Sequence, residues 1–142
     1  MSEQRRPHLS VVIADECQDT RELLRTWLEG EGCWVIEASN GEEALELIQV
    51  KCPDMILMAT RLPGLDGLEA TRRIRKNGRQ CGFPIVCMST YPTQEAEASA
   101  LAAGCSSFIA KPLDFTILAT LVRRLRSEEL RDQQRVDSSA VN

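Results

Sequence analysis

Histidine is nearly absent from this chain, and that lack excludes more chemistry than any single residue present. The one copy is His8, in a polar stretch close to the first residue. Six cysteines stand at 17, 33, 52, 81, 87 and 105, yet none belongs to a Cys-x-x-Cys pair. A structural zinc site needs closely spaced ligand pairs, and they are missing. A Cys17 nucleophile would likewise lack a histidine base. Reduced thiols are therefore expected, with Cys87 and Cys105 serving as buried small hydrophobes among apolar neighbours.

Long apolar runs are missing too. Arginine, proline, glycine or an acid interrupts each one well short of the roughly 20 residues that span a bilayer. The opening Met1-Ser2-Glu3-Gln4-Arg5-Arg6-Pro7-His8 is basic but lacks the apolar core of a secretory signal. Residues 1–8 are read as a disordered lead-in, and the chain as cytoplasmic with no membrane partner. A net charge of -4 and a pI near 5.1 weigh against a general grip on nucleic acid. Basic groups occur at Arg72, Arg73, Arg75, Lys76 and Arg79, and at Arg123, Arg124 and Arg126. Helical spacing spreads both sets over solvent-facing turns without interleaved aromatics, so no direct nucleic-acid contact is expected.

What is present fits one globular domain. A chain of 142 residues can bury roughly 68–70% of the surface it exposes when unfolded. Short apolar runs alternate with amphipathic segments, the pattern of βα units around a parallel sheet. The strand-like runs are 9–14, 33–37, 53–59, 84–88 and 106–110. Helical periodicity falls near 18–30, with Leu23, Leu24, Trp27 and Leu28, and again after Ser39 and Asn40. Glu42 and Glu43 each follow one of those two residues by three, as in a capping box. Further helices are read over about 66–76, with Leu68, Thr71 and Ile74 inward, and about 93–103, with Gly104 in the left-handed position beyond. The last helix starts near Asp114 and buries Ile117, Leu118, Leu121, Val122 and Leu125. Residues 127–142 form a polar C-terminal tail, read as continuing that helix for two or three turns. Near-continuous apolar strands predict a five-stranded parallel sheet with helices on both faces. Ligands of such sheets gather at the carboxyl ends of the strands. Asp15, Glu16, Ala59, Ser89 and Lys111 all belong to that edge.

Five motifs in order now resemble the receiver domain of two-component response regulators over about residues 9–126. They are Val11-Val12-Ile13-Ala14-Asp15-Glu16, Pro53-Asp54-Met55-Ile56-Leu57-Met58-Ala59, Leu62-Pro63-Gly64-Leu65-Asp66-Gly67, Pro84-Ile85-Val86-Cys87-Met88-Ser89 and Phe108-Ile109-Ala110-Lys111-Pro112. The resemblance implies a flavodoxin-like (βα)5 fold, CheY-like, and a phosphorelay module that is not an enzyme. It implies a histidine kinase or phosphotransfer protein as partner. A homodimer or effector would dock through the fourth helix, fifth strand and fifth helix. Magnesium is implied on Asp15, Glu16 and the backbone carbonyl of Arg61, which suits a hard cation that prefers oxygen ligands. Lys111 and Ser89 would meet a phosphoryl group, and Phe108 matches the family's switch aromatic.

Residue 59 departs from that pattern. Family receivers carry an aspartate acceptor there, whereas the alanine methyl cannot form an acylphosphate and removes one metal carboxylate, so magnesium binding is expected to be weak. Thr60 points to the other face of an extended strand. Asp54 lies roughly 16 Å back along the strand, too far to substitute. The chain is thus read either as a natural module that signals without phosphate or as a receiver whose aspartate was changed to alanine. The suitability of Asp15, Glu16, Ser89 and Lys111 favours the second. A flavodoxin-like small-molecule enzyme is the rival class, but Asp15-Glu16-Cys17-Gln18-Asp19 holds no glycine to cradle a phosphate.

Overall fold

A computed structural model describes residues 8–77 and 82–141, with 129–141 as backbone. Strands and helices alternate as β1 (Ser10–Ala14), α1 (Gln18–Gly30), β2 (Trp34–Ala38), α2 (Gly41–Lys51), β3 (Met55–Ala59), α3 (Gly67–Lys76), β4 (Ile85–Ser89), α4 (Gln94–Ala103), β5 (Ser107–Ala110) and α5 (Phe115–Val141). All strand pairs are parallel, in the order β2-β1-β3-β4-β5. This is the flavodoxin-like (βα)5 arrangement expected from the apolar runs. Every residue of β3 and β4 is buried, because helices cover both sheet faces.

Register brings the carboxyl ends of the strands level. Ala14 pairs with Met58, Ala59 with Met88, and Ser89 with Ala110. The residues leaving β1, β3, β4 and β5 therefore emerge side by side. Gly67 sets the depth of the turn after β3: a Cβ there would sit 1.9 Å from the Ala59 carbonyl oxygen. Its amide instead donates to Thr60 O at 3.2 Å, so α3 starts directly over the strand end.

Local signals account for the helix ends. Asn40 caps α2 by accepting from the Glu43 amide at 2.8 Å, while Glu43 Oε1 accepts from the Ser39 amide at 2.7 Å. Asp114 Oδ1 accepts from the Thr116 amide at 2.8 Å at the start of α5. Gly104 adopts φ 113° after α4, as its position predicts.

Three expectations need correction. Ile117, read as buried, is 45% exposed, and Leu23, counted in the apolar periodicity of α1, is 57% exposed. The pairs Leu24/Leu28 and Leu118/Val122, four residues apart, hold the inner stripes, and a neighbour one position away turns about 100° off. Cys87 and Cys105 are buried as expected but joined as a disulfide rather than reduced. The antecedent geometry is the close approach of β4 to the turn before β5, which sets the two Cα atoms 6.2 Å apart, within bridging reach. Finally, α5 is one unbroken helix of 27 residues through Val141, extending further than the turns read from the tail.

Candidate functional site

The strand ends open into a cleft of about 920 Å³ whose lining includes Asp15, Glu16, Ala59, Arg61, Ser89 and Lys111. Six of the seven residues singled out from the sequence meet there. Phe108 does not line it; it lies half-buried on β5, paired in register with Cys87 and packed against the core. Thr60 also contributes to the wall, and its amide donates to Met88 O at 3.0 Å. Asp54 is committed at the opposite end of the sheet, where its carboxylate accepts from the Ser10 amide at 2.8 Å.

Asp15 is the deepest charge. Only 1% exposed, it is held from four directions. Its amide donates to Ala38 O at 3.0 Å, Oδ1 accepts from the Cys17 amide at 2.9 Å, and Oδ2 accepts from Lys111 Nζ at 2.5 Å. The fourth contact is Arg21, which donates to the Asp15 carbonyl at 2.7 Å and is itself held by Glu37 Oε1 at 3.0 Å. A buried carboxylate is tolerated only when so satisfied. Glu16, in contrast, is exposed.

Lys111 follows β5, and its amide donates to Ser89 O at 2.8 Å, which fixes where its side chain starts. The Ser89 hydroxyl accepts from the Tyr91 amide at 3.1 Å. Across the mouth, the Arg61 guanidinium lies 5.4 Å from the centre of the Tyr91 ring, linking the loops after β3 and β4. Ala59 is 3% exposed and presents a methyl group at the cleft floor. At the rim, hydrogen bonding from Thr20 holds the Cys17 thiol below the ordinary range, whereas burial pushes the Cys33 thiol up.

The donors do not fit a divalent ion well. Magnesium sites rest on one or two carboxylates joined by waters and phosphate oxygens. Both Asp15 oxygens are already engaged, Ala59 offers only a methyl group, and the other two lining acids, Glu16 and Asp66, are exposed. Among the described residues no cluster of three or more His, Cys, Asp or Glu could hold a metal ion.

Sequence reasoning missed Arg21, Tyr91 and the Lys111–Asp15 pair. The first two carry no local pattern, because each has a partner in another βα unit, Glu37 for Arg21 and Arg61 for Tyr91. Lys111 was expected to meet an acceptor or its phosphate, and no spacing rule points to Asp15 instead.

The fold and this cleft define a class, and comparison with known proteins names it. Residues 11–123 match the family model for the response regulator receiver domain. The chain belongs to that family, whose members are signalling modules. The response regulator MprA of Mycobacterium ulcerans is 32% identical over 132 residues, covering 92% of this chain and 56% of MprA. The polar-differentiation response regulator DivK of Brucella anthropi is 31% identical over 104 residues, covering 73% of this chain and 85% of DivK. Among solved structures, a putative response regulator from Chloroflexus aurantiacus superposes with a TM-score of 0.79 at 28% identity, covering 85% of this chain and 99% of the other. The chain spans about half of MprA's length and 26% of the length of the transcriptional regulator NtrC of Escherichia coli. Among the described residues no helix is long and apolar enough to cross a membrane.

Proposed function

We propose that this chain is a receiver module of a phosphorelay that signals through protein–protein contact and cannot be phosphorylated on aspartate. One observation carries the reading: the residue at the floor of the cleft, between Asp15, Ser89 and Lys111, is Ala59. An acylphosphate needs a carboxylate there, and the methyl group supplies no nucleophile. Ser89 and Lys111 are the residues that would meet phosphoryl oxygens, and Asp15, Glu16 and the Arg61 carbonyl are the remnant metal set, weak at best for magnesium. The module works in the cytoplasm beside a histidine kinase or phosphotransfer protein.

Output runs through α4, β5 and α5, as a homodimer or by effector docking. Exposed apolar side chains on or beside those elements support it: Tyr91 at 64%, Leu101 at 50% and Ile117 at 45%. Phe108 is the switch residue, its half-buried ring able to trade an inward for an outward rotamer. With no acceptor, only a partner's differential affinity can shift that equilibrium.

The test compares the unaltered chain with Ala59→Asp, each incubated with a small-molecule phosphodonor and magnesium and read by intact mass. Labile phosphate on the variant alone is the expected result. Phosphate on the unaltered chain would overturn the reading, as would none on a folded Ala59→Asp variant.

A further inference from the structure

A divalent ion entering this cleft must take Asp15, because that carboxylate is the one excluded from water and electrostatic attraction is strongest there. Each of its two oxygens already accepts a hydrogen bond. Lys111 Nζ sits 2.5 Å from Oδ2, and the Cys17 amide 2.9 Å from Oδ1. The lysine is not a loose surface cation: its side chain is 21% exposed, and its amide is tied to Ser89 O at 2.8 Å. Nor does it have another acid at the cleft floor to turn to, since residue 59 ends in a methyl group.

We infer that Lys111 is the resident cation of this cleft: its ammonium occupies the place on Asp15 that a divalent ion would need, and so renders the chain insensitive to magnesium. This rests on the receiver reading only for the identity of the cleft. Alanine at 59 then has two linked effects. It removes the nucleophile, and it releases the lysine from the acid it would otherwise share, so that the remaining carboxylate is neutralised internally. Displacing the ammonium would break a charge-assisted hydrogen bond to a buried carboxylate, which opposes exchange for a hydrated ion.

The experiment titrates magnesium chloride, against sodium chloride of matched ionic strength, into the full ¹⁵N-labelled chain and follows the amides of residues 15–17 and 61. The unaltered chain should give no saturable shift. Lys111→Met should bind at least about tenfold more tightly, as expected when a unit charge is removed at contact distance. Lys111→Arg keeps the charge and should stay unresponsive. Saturable binding by the unaltered chain overturns the inference, and so does a folded Lys111→Met that gains nothing. Should Lys111→Met fail to fold, the lysine ammonium resonance of the unaltered chain decides: unmoved by magnesium supports the inference, displaced overturns it. A magnesium-responsive unaltered chain together with phosphate on Ala59→Asp sinks the resident cation alone. An unresponsive chain together with an inert Ala59→Asp sinks the receiver-site reading alone.

Discussion

Removing the Lys111 ammonium should cost this protein a large share of its stability. Asp15 is 1% exposed, and Lys111 Nζ is its only charged partner at hydrogen-bond distance among the described residues. At an effective dielectric of about 20, a unit pair at such separation attracts by roughly 4–7 kcal/mol, most of which offsets the loss of hydration. Lys111→Met keeps the apolar stem but strands the carboxylate, at an expected cost of roughly 3–5 kcal/mol. Asp15→Asn leaves the amide contact from Cys17 available and strands a lysine that can swing toward water, so about 1–2 kcal/mol is expected. The double variant should cost less than the sum by about 2 kcal/mol, the signature of direct coupling. Urea unfolding of the four proteins, followed by far-UV circular dichroism, measures each value. Additivity within about 0.5 kcal/mol, with Lys111→Met costing under about 1 kcal/mol, would refute the pairing on which the cleft's electrostatics rest.

Further outcomes follow from other contacts. Gly67→Ala places a Cβ 1.9 Å from the Ala59 carbonyl oxygen, so backbone must move, and a loss of about 2 kcal/mol or more is expected in the same denaturation assay. A loss under about 0.5 kcal/mol would mean that α3 does not start over the strand end. For the free thiols, Cys17 is exposed with its pKa lowered by Thr20, and Cys33 is buried with its pKa raised. The thiolate is the reactive form, so iodoacetamide near neutral pH should label Cys17 first and Cys33 last, read by peptide mass. As pH rises, Cys17 labelling should reach half its maximum below the ordinary thiol value of about 8.5, and Thr20→Ala should move that midpoint up. Equal rates for the two thiols would contradict the environments described.

The sheet was legible because its inner strands are buried on both sides. Met55-Ile56-Leu57-Met58-Ala59 and Ile85-Val86-Cys87-Met88 contain no polar residue, and that uninterrupted run is a stronger signal than alternation would be. Level strand ends then follow from parallel pairing, which is why Asp15, Ala59, Ser89 and Lys111 were brought to one edge on paper. Side-chain partners were another matter. Arg21 reaches the Asp15 carbonyl and Glu37, 16 positions away, through a contact that exists only once α1 packs beside β2. The Cys87–Cys105 bond depends on the same kind of closeness, between β4 and the residue that precedes β5. Leu23 and Ile117 illustrate a subtler failure: apolar identity marks a helix as amphipathic, but a single angular step decides which leucine or isoleucine faces in.

The length of α5 turns a small event into a large one. Leu118 and Val122 anchor its first turns in the core, while the backbone helix continues to Val141, roughly 40 Å from its start at the usual rise. A rod clamped near one end is a lever arm: a tilt of about 5° at the clamp carries the far end sideways by roughly 3.5 Å over that length. A partner gripping the distal turns would thus gain leverage on the packing beside β5, and motion there would be magnified on its way out.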